Sequence, residues 1–411
     1  MANLDYLRQI ETAVLSSVST DSQRRQQAYT FLEQLKANPT QSISIGFDFF
    51  TKTQQFDSLA KHFGLQCVEE TIKYKWTSLD SQLKFSIKER LWSLMTEQDQ
   101  LPVHLKTILV RCVCEIAKRE WPQQWPSFLD ELVALSKVNS NSDYSLLILA
   151  YLIEDVIVLQ TLNPGRKRDI QTTFLQHGSQ LIEFCEYFLD ISNTIASSLY
   201  ALTMFATFLP IESFFSTKII EKIVGLLNSS QHRMKASEFL SVLSDRRGKY
   251  EERLPLLQLF PYLFTSNSQY NQLFASIDIK QSNEIYDFMK QYAMVLTALC
   301  DQLCYLCGNE DPTKKTSLPE QFTNGLFVNI LINLMQHPSI YISLYGYQMW
   351  LQLIKANLFE QNDYETILPI VLRALCHSLV KQSYKNENEQ GIDKYRENKK
   401  VDVFFSFICH H

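Results

Sequence analysis

Apolar side chains recur along this chain at intervals of three and four residues from the start. Leu4, Leu7, Ile10, Val14, Leu15 and Val18 form one stripe, the spacing of a single face of an α-helix. Asp21-Ser22 predicts the cap of a second helix carrying Ala28, Phe31, Leu32 and Leu35, and Asn38-Pro39 predicts its end. The same period predicts helices over 41–53, 57–75, 80–96, 103–120, 127–137 and 143–160. It resumes over 168–189, 193–208, 214–227, 231–243, 253–264, 283–307, 322–336, 338–356 and 364–381. No strand–turn–strand pattern interrupts it.

Taken in pairs, these helices make units of about 40 residues, the period of HEAT-type helical hairpins. The units share length and stripe rather than sequence. The predicted fold is therefore all-α: an α-solenoid of about eight hairpins in a right-handed superhelical array, each touching only its neighbours. Leu146 to Ile153 is apolar nearly all round, as a helix flanked on both sides should be. From Gln382 to Lys400 the texture turns polar and predicts an exposed loop. Val401 to His411 is apolar and ends without a capping helix, so the expectation is an N-terminal portion of something longer.

Composition narrows the function classes. Only 10 Gly and 12 Pro occur in 411 residues, too few glycines for the phosphate loops and tight turns of an α/β enzyme. A net charge of −5 leaves any nucleic-acid contact to local basic patches. The nine cysteines are scattered and mostly lie in apolar runs, which suits a reducing compartment. The eight-residue run Leu146 to Ile153 is followed at once by Glu154-Asp155 and is too short to cross a bilayer. No membrane insertion is expected.

Candidate chemistry is sparse. Cys300, Cys304 and Cys307 share one helical stripe with Val295, Leu296, Leu299 and Leu303 and read as core, because zinc needs a fourth ligand that the neighbourhood does not supply. Cys112 and Cys114 cannot share a helical face and also read as packing. The eight histidines show no nucleophile–base or metal spacing. No catalytic residue, metal or cofactor is expected. Two basic clusters remain: Arg166-Lys167-Arg168 after the turn Asn163-Pro164-Gly165, and Arg246-Arg247-Gly248-Lys249 after Leu243. These are either solvated corner charges or phosphate contacts.

Between two apolar helical runs lies Arg119-Glu120-Trp121-Pro122-Gln123-Gln124-Trp125-Pro126. Trp121-Pro122 should end the helix before it and Pro126 should open the next. The indoles of Trp121 and Trp125 should seal the corner between repeats. With the block His62 to Trp76, and with Lys118 to Leu132 around the two Trp-Pro pairs, the chain resembles the karyopherin-β family of nuclear transport receptors. Glu154 to Val156, Gln160 to Leu162, Pro164 to Gln171, Arg246 to Arg253, Leu256 to Phe260 and Leu299 to Leu306 resemble the exportin branch that carries pre-microRNA hairpins. The likeness extends to about Lys381, and the last residues depart from it.

The resemblance implies a nuclear export receptor that shuttles between nucleus and cytoplasm and meets nucleoporins on the way. It implies Ran-GTP as partner, gripped by inner helices here at 22–37, 57–75, 103–120 and 143–160, with Lys61, Glu69, Lys73 and Lys75 as candidate contacts. It implies double-stranded RNA hairpin cargo, held through phosphates and 2′-hydroxyls, with Arg166, Lys167, Arg168, Arg246, Arg247 and Lys249 as candidates. Domains would run 1–160 for Ran-binding repeats, 161–381 for further exportin-type repeats, and 382–411 for the polar loop and atypical end. Protein cargo, or a helical scaffold without a transport role, is the alternative.

Overall fold

A computed structural model describes residues 3–50, 55–97, 101–137, 143–159, 162–265, 269–273, 283–308, 316–323, 325–337, 339–359 and 369–373. Among them every regular element is helical and none is a strand. The chain is an all-α solenoid of HEAT-type hairpins. It divides into two compact units, Met1–His177 and Gly178–His411.

The first unit holds α1 (Leu4–Ser17), α2 (Ser22–Ala37), α3 (Pro39–Asp48), α4 (Ser58–Lys75), α5 (Ser81–Glu97), α6 (Val103–Glu120), α7 (Phe128–Lys137), α8 (Asp143–Ile153) and α9 (Pro164–Gln176). Short polar side chains start several of these helices by accepting orphan backbone N–H groups. Asp21 Oδ1 accepts from Gln23 at 2.9 Å, Asp57 Oδ1 from Leu59 at 2.8 Å, and Asn163 Oδ1 from Arg166 at 2.9 Å. Asn38 ends α2 and caps α3, whose first residue is Pro39.

The helices α4, α6 and α8 pack side by side in one row. α8 buries residues on every side, including Tyr144, Leu146, Ile148, Leu149, Leu152 and Ile153. α3 meets α4 where Gly46 and Gly64 cross. A Cβ on Gly46 would stand 2.5 Å from the Gly64 carbonyl oxygen, so the backbones can approach this closely only without one. Beyond α8 the chain makes a π turn over Glu154–Val158 before entering α9.

In the second unit the elements are α10 (Gly178–Phe188), α11 (Ile195–Ala206), α12 (Ile219–Leu226), α13 (Arg233–Ser244), α14 (Tyr250–Arg253), α15 (Phe260–Leu263), α16 (Gln269–Gln272), α17 (Asn283–Cys307), α18 (Glu320–Thr323), α19 (Leu326–Gln336) and α20 (Ile340–Lys355). Its packed row is α11, α13, α17 and α20. A buried serine ties the hairpin turns in both units. Ser145 Oγ donates to the Leu132 carbonyl and Ser198 Oγ to the Cys185 carbonyl, each at 2.7 Å and thirteen residues back.

Several expected helices are divided differently, among them 322–336, where Gly325 separates α18 from α19, and 214–227, which is α-helical over Ile219–Leu226. The run 168–189 is two helices, with His177 closing α9 and Gly178 opening α10. The run 253–264 is broken by Pro255 and Pro261 into a 3₁₀ stretch, Leu254–Leu259, and the short α15, because each proline removes a ladder donor. The run 143–160 ends its α-helical part at Ile153. Of the run 364–381 only 369–373 are described, and they are helical. The segment 382–411 lies outside the described residues.

Candidate functional site: a charged cleft across the first unit

α6 ends at Glu120, and Trp121 is extended, its N–H donating to the Ala117 carbonyl. The Trp121–Pro122 peptide is cis. α7 begins at Phe128, two residues after Pro126. Both indoles are buried. Trp121 packs on Phe174 at 4.8 Å and Phe128 at 5.6 Å, and Trp125 packs on Phe128 at 4.9 Å and Trp92 at 5.4 Å between ring centroids. The polar edge of Trp125 is satisfied nearby: its Nε1 donates to Glu131 Oε1 at 3.0 Å. The buried Glu120 accepts from Trp76 Nε1 at 2.9 Å and Lys88 Nζ at 3.0 Å.

The last carbonyls of an α-helix have no intrahelical partner and carry the negative end of the dipole, and here the ends of α2, α4 and α6 present such carbonyls. Side chains from the following repeat cover them. Lys75 Nζ donates to the Ala37 carbonyl at 3.4 Å, and Arg119 Nη2 donates to that of Lys73 at 2.6 Å. Arg166 Nε donates to the Lys118 carbonyl at 2.9 Å and Nη2 reaches that of Ala117 at 3.5 Å. Its guanidinium also bonds the Trp121 carbonyl and the Gln123 side chain. The second unit repeats the device. Arg246 Nη1 donates to the Ala206 and Leu209 carbonyls at 2.5 and 2.9 Å, and Gln302 Nε2 to those of Ser244 and Arg246 at 2.7 and 3.0 Å.

Between the ends of α4 and α6, the π turn and α9 lies a cleft of about 590 Å³. Five cations (Lys73, Arg111, Lys118, Arg119 and Arg166) and three carboxylates (Glu69, Glu115 and Asp155) line it, with Tyr74 and Thr77 on its wall. Lys118 is buried, bonded to Glu115 on its own helix and to Asp155 at 2.8 Å on the π turn. Arg119 Nη1 donates to Glu115 Oε2 at 2.6 Å. Burial opposes ionisation of Glu115, but hydrogen bonds from Lys118 and Arg119 outweigh it and hold its carboxyl below the usual range. Burial likewise opposes the charge on Lys118, but the bonds to Asp155 and Glu115 prevail and raise its pKa. Glu69 goes the other way: burial pushes its carboxyl up, with the Arg111 charge only partly offsetting. Arg111 and Lys73 are exposed, and Tyr74 is 72% exposed beside the Lys73 ammonium. With Thr77 and Asn163 they are the exposed side chains of the lining.

The candidate Ran contacts divide. Glu69 and Lys73 line the cleft. Lys61 sits in the first turn of α4 with its ammonium 5.8 Å from the Phe50 ring centroid, and Lys75 is drawn to the Ala37 carbonyl. Of the candidate phosphate contacts, Arg166 and Arg246 are turned onto backbone carbonyls, and Arg247 bonds Asp301 and Asp245. Lys167 is half-buried, while Arg168 and Lys249 are exposed. Arg111, Glu115, Lys118, Arg119 and Asp155 were not singled out by chain pattern. The signal was present as a charged stripe at positions 111, 115, 118 and 119 of α6, the spacing of one face.

Among the described residues, no group of three or more His, Cys, Asp or Glu side chains is placed to hold a metal, and no helix is long and apolar enough to cross a membrane. Cys112, Cys114, Cys300 and Cys307 are buried, and Cys304 is half-buried. Hairpins stacked within each unit, with side chains over the helix ends and a polar cleft in the first, make this a helical-repeat protein.

Residues 28–97 match the family described as Importin-beta N-terminal domain, and residues 102–240 match Exportin 1-like protein. Human exportin-5 is 26% identical across 93% of this chain and 34% of its own length. Exportin-5 of Dictyostelium discoideum is 23% identical across 95% of this chain and 36% of its own, and Exportin-1 of Schizosaccharomyces pombe 22% identical across 72% and 29%. The chain belongs to the karyopherin-β (importin-β/exportin) family. It spans about a third of the length of the exportin-5 relatives it matches.

Proposed function

We propose that this chain is the Ran-gripping portion of an exportin-5-like nuclear export receptor, which carries double-stranded RNA hairpins from nucleus to cytoplasm past nucleoporins. The observation that carries the reading is the cleft. It lies where the stretch similar to the importin-beta N-terminal domain passes into the exportin-like stretch, and it presents Lys73, Arg111 and Tyr74 to solvent. An exposed cation pair beside an aromatic face suits an acidic protein surface, and such complementarity sets on-rate and partner choice. No chemical step is part of this reading.

The test is nucleotide preference. The full chain should bind Ran-GTP more tightly than Ran-GDP, and Lys73→Glu with Arg111→Glu should weaken the GTP complex by about tenfold or more, roughly 1.4 kcal/mol. Equal affinity for the two nucleotide states would leave a helical scaffold without a transport role. A second reading, a karyopherin for protein cargo, is favoured by one observation: three of the six candidate phosphate contacts spend their guanidinium groups on this chain's own carbonyls and carboxylates. Under the RNA reading, Lys167, Arg168 and Lys249 remain as the available cations of the two clusters. Replacing these three by Gln should reduce double-stranded RNA affinity and flatten its salt dependence.

A further inference from the structure

The charges lining the cleft of the first unit do not balance among themselves. Glu115 and Asp155 are taken by Lys118 and Arg119, and Glu70, next to Glu69, turns to Lys36 on α2 at 3.1 Å. Arg166 spends its guanidinium on neutral acceptors. Among the described residues this leaves one lining carboxylate without a hydrogen bond, Glu69 on α4, and two cations without an ion pair, Lys73 one turn along and Arg111 across on α6. We propose that Glu69 sets the specificity of this cleft, admitting a protein surface that places a basic side chain beside its acidic ones and turning away a uniform polyanion such as a nucleic-acid backbone. The admitting half rests on the reading of the cleft as the Ran-GTP contact; the excluding half does not need it.

Desolvation carries the argument. Glu69 is half-buried, and burial already pushes its carboxyl up, with the Arg111 charge only partly offsetting. A partner seated on Lys73 and Arg111 covers Glu69 as well, because the three line one cleft. A charge left buried without a partner is strongly unfavourable, and a carboxylate or phosphate placed beside it adds like-charge repulsion. A lysine or arginine from the partner removes both penalties and makes a charge-assisted hydrogen bond.

A protein surface can set acid and base side by side, whereas a phosphate backbone is negative throughout. Five cations against three carboxylates leave the lining positive, so without Glu69 it would favour any polyanion. Discrimination of this kind comes from the ligand repelled as much as from the ligand chosen.

Two titrations of the full chain test this. Against Ran-GTP, Glu69→Gln should weaken binding about tenfold with an unchanged thermal midpoint. Against a double-stranded RNA of arbitrary sequence, in a background where Lys167, Arg168 and Lys249 are replaced by Gln, Glu69→Gln should strengthen binding about threefold. That gain should vanish when Lys73 and Arg111 are also replaced by Gln, and Glu69→Asp, which keeps the charge, should show none. Ran-GTP binding that is unchanged or tighter in Glu69→Gln overturns the proposal. So does RNA binding that is unchanged, or a gain that persists without Lys73 and Arg111. Failure of the unmutated chain to bind Ran-GTP removes the Ran reading instead, and the RNA titration then decides whether Glu69 excludes polyanions.

Discussion

Arg166 offers the sharpest test of how this array is held together. Its guanidinium reaches the carbonyls of Ala117, Lys118 and Trp121 and the Gln123 side chain. Arg166→Ala removes these bonds at once and uncovers the negative end of α6. Hydrogen bonds from a charged donor contribute about 1.5–3 kcal/mol each when well formed, and the helix-end charge adds about 0.3–1 kcal/mol. Water can reach part of the site, and the Ala117 contact is long at 3.5 Å. The expected net cost is about 2–3 kcal/mol, a midpoint shift of about 4–12 °C for a unit of this size. Arg166→Lys should recover less than half, because an ammonium cannot bridge several carbonyls as a planar fork does. Arg168→Ala, at an exposed position two residues on, should stay within about 0.5 kcal/mol. Thermal unfolding of the full chain, with amide exchange followed at 117–121, reads both variants. Equal midpoints for Arg166→Ala and Arg168→Ala, with no faster exchange at the end of α6, would refute the clamp.

Lys118→Ala leaves Glu115 and Asp155 facing each other without their shared cation, and should cost about 3–5 kcal/mol, measured by denaturant unfolding. The pH dependence follows from the same network. Glu115 titrates below its ordinary 4.5 in the folded chain, so its contribution is present above that value and lost as pH falls through the depressed one. Lys118 titrates above its ordinary 10.5, so its contribution is complete below that value and lost as pH rises through the raised one. Unfolding midpoints should therefore be flat in this respect from about pH 5 to 10, and a Lys118→Met, Glu115→Gln, Asp155→Asn triple variant should flatten both flanks. Gly46→Ala forces a methyl against the Gly64 carbonyl and Val68 and should cost about 1–3 kcal/mol despite alanine's better helix propensity; a neutral result would mean α3 and α4 separate freely. Trp121→Ala should cost about 3–5 kcal/mol, seen as loss of the cooperative transition of the first unit.

The helical period was legible because almost every hairpin must bury one stripe of each helix, and that stripe survives in sequence as threes and fours. Boundaries were less legible where two stripes run in phase. Ile170 and Phe174 lead into Leu181, Ile182, Cys185 and Phe188 without a proline to mark the break, and only His177-Gly178 records it. Pro255 and Pro261 did mark theirs, but the leucines around them kept the helical spacing, so a 3₁₀ stretch resembled a helix. The basic clusters misled in a different way. A run such as Arg166-Lys167-Arg168 shows how many cations are present and nothing of where each points. Helix geometry turns the first residue of that run onto α6 and leaves the third in solvent.

That outcome has a physical reason. The Arg119 guanidinium at the end of α6 touches the last turn of α4, and His104 at the start of α6 meets His62 at the start of α4. Neighbouring helices of the row therefore run in the same direction, and their dipoles lie parallel. Parallel dipoles side by side repel, and their unpaired carbonyls gather along one edge of each unit. Side chains from following repeats cover these carbonyls, the cations Lys75, Arg119, Arg166 and Arg246 relieving both problems and the neutral Gln302 supplying hydrogen bonds alone. An edge built this way needs basic residues for its own cohesion before any partner arrives. Basic clusters at hairpin corners are consequently weak evidence of nucleic-acid contact in such a fold. The informative cations are those that the edge does not use, and in the cleft these are Lys73 and Arg111.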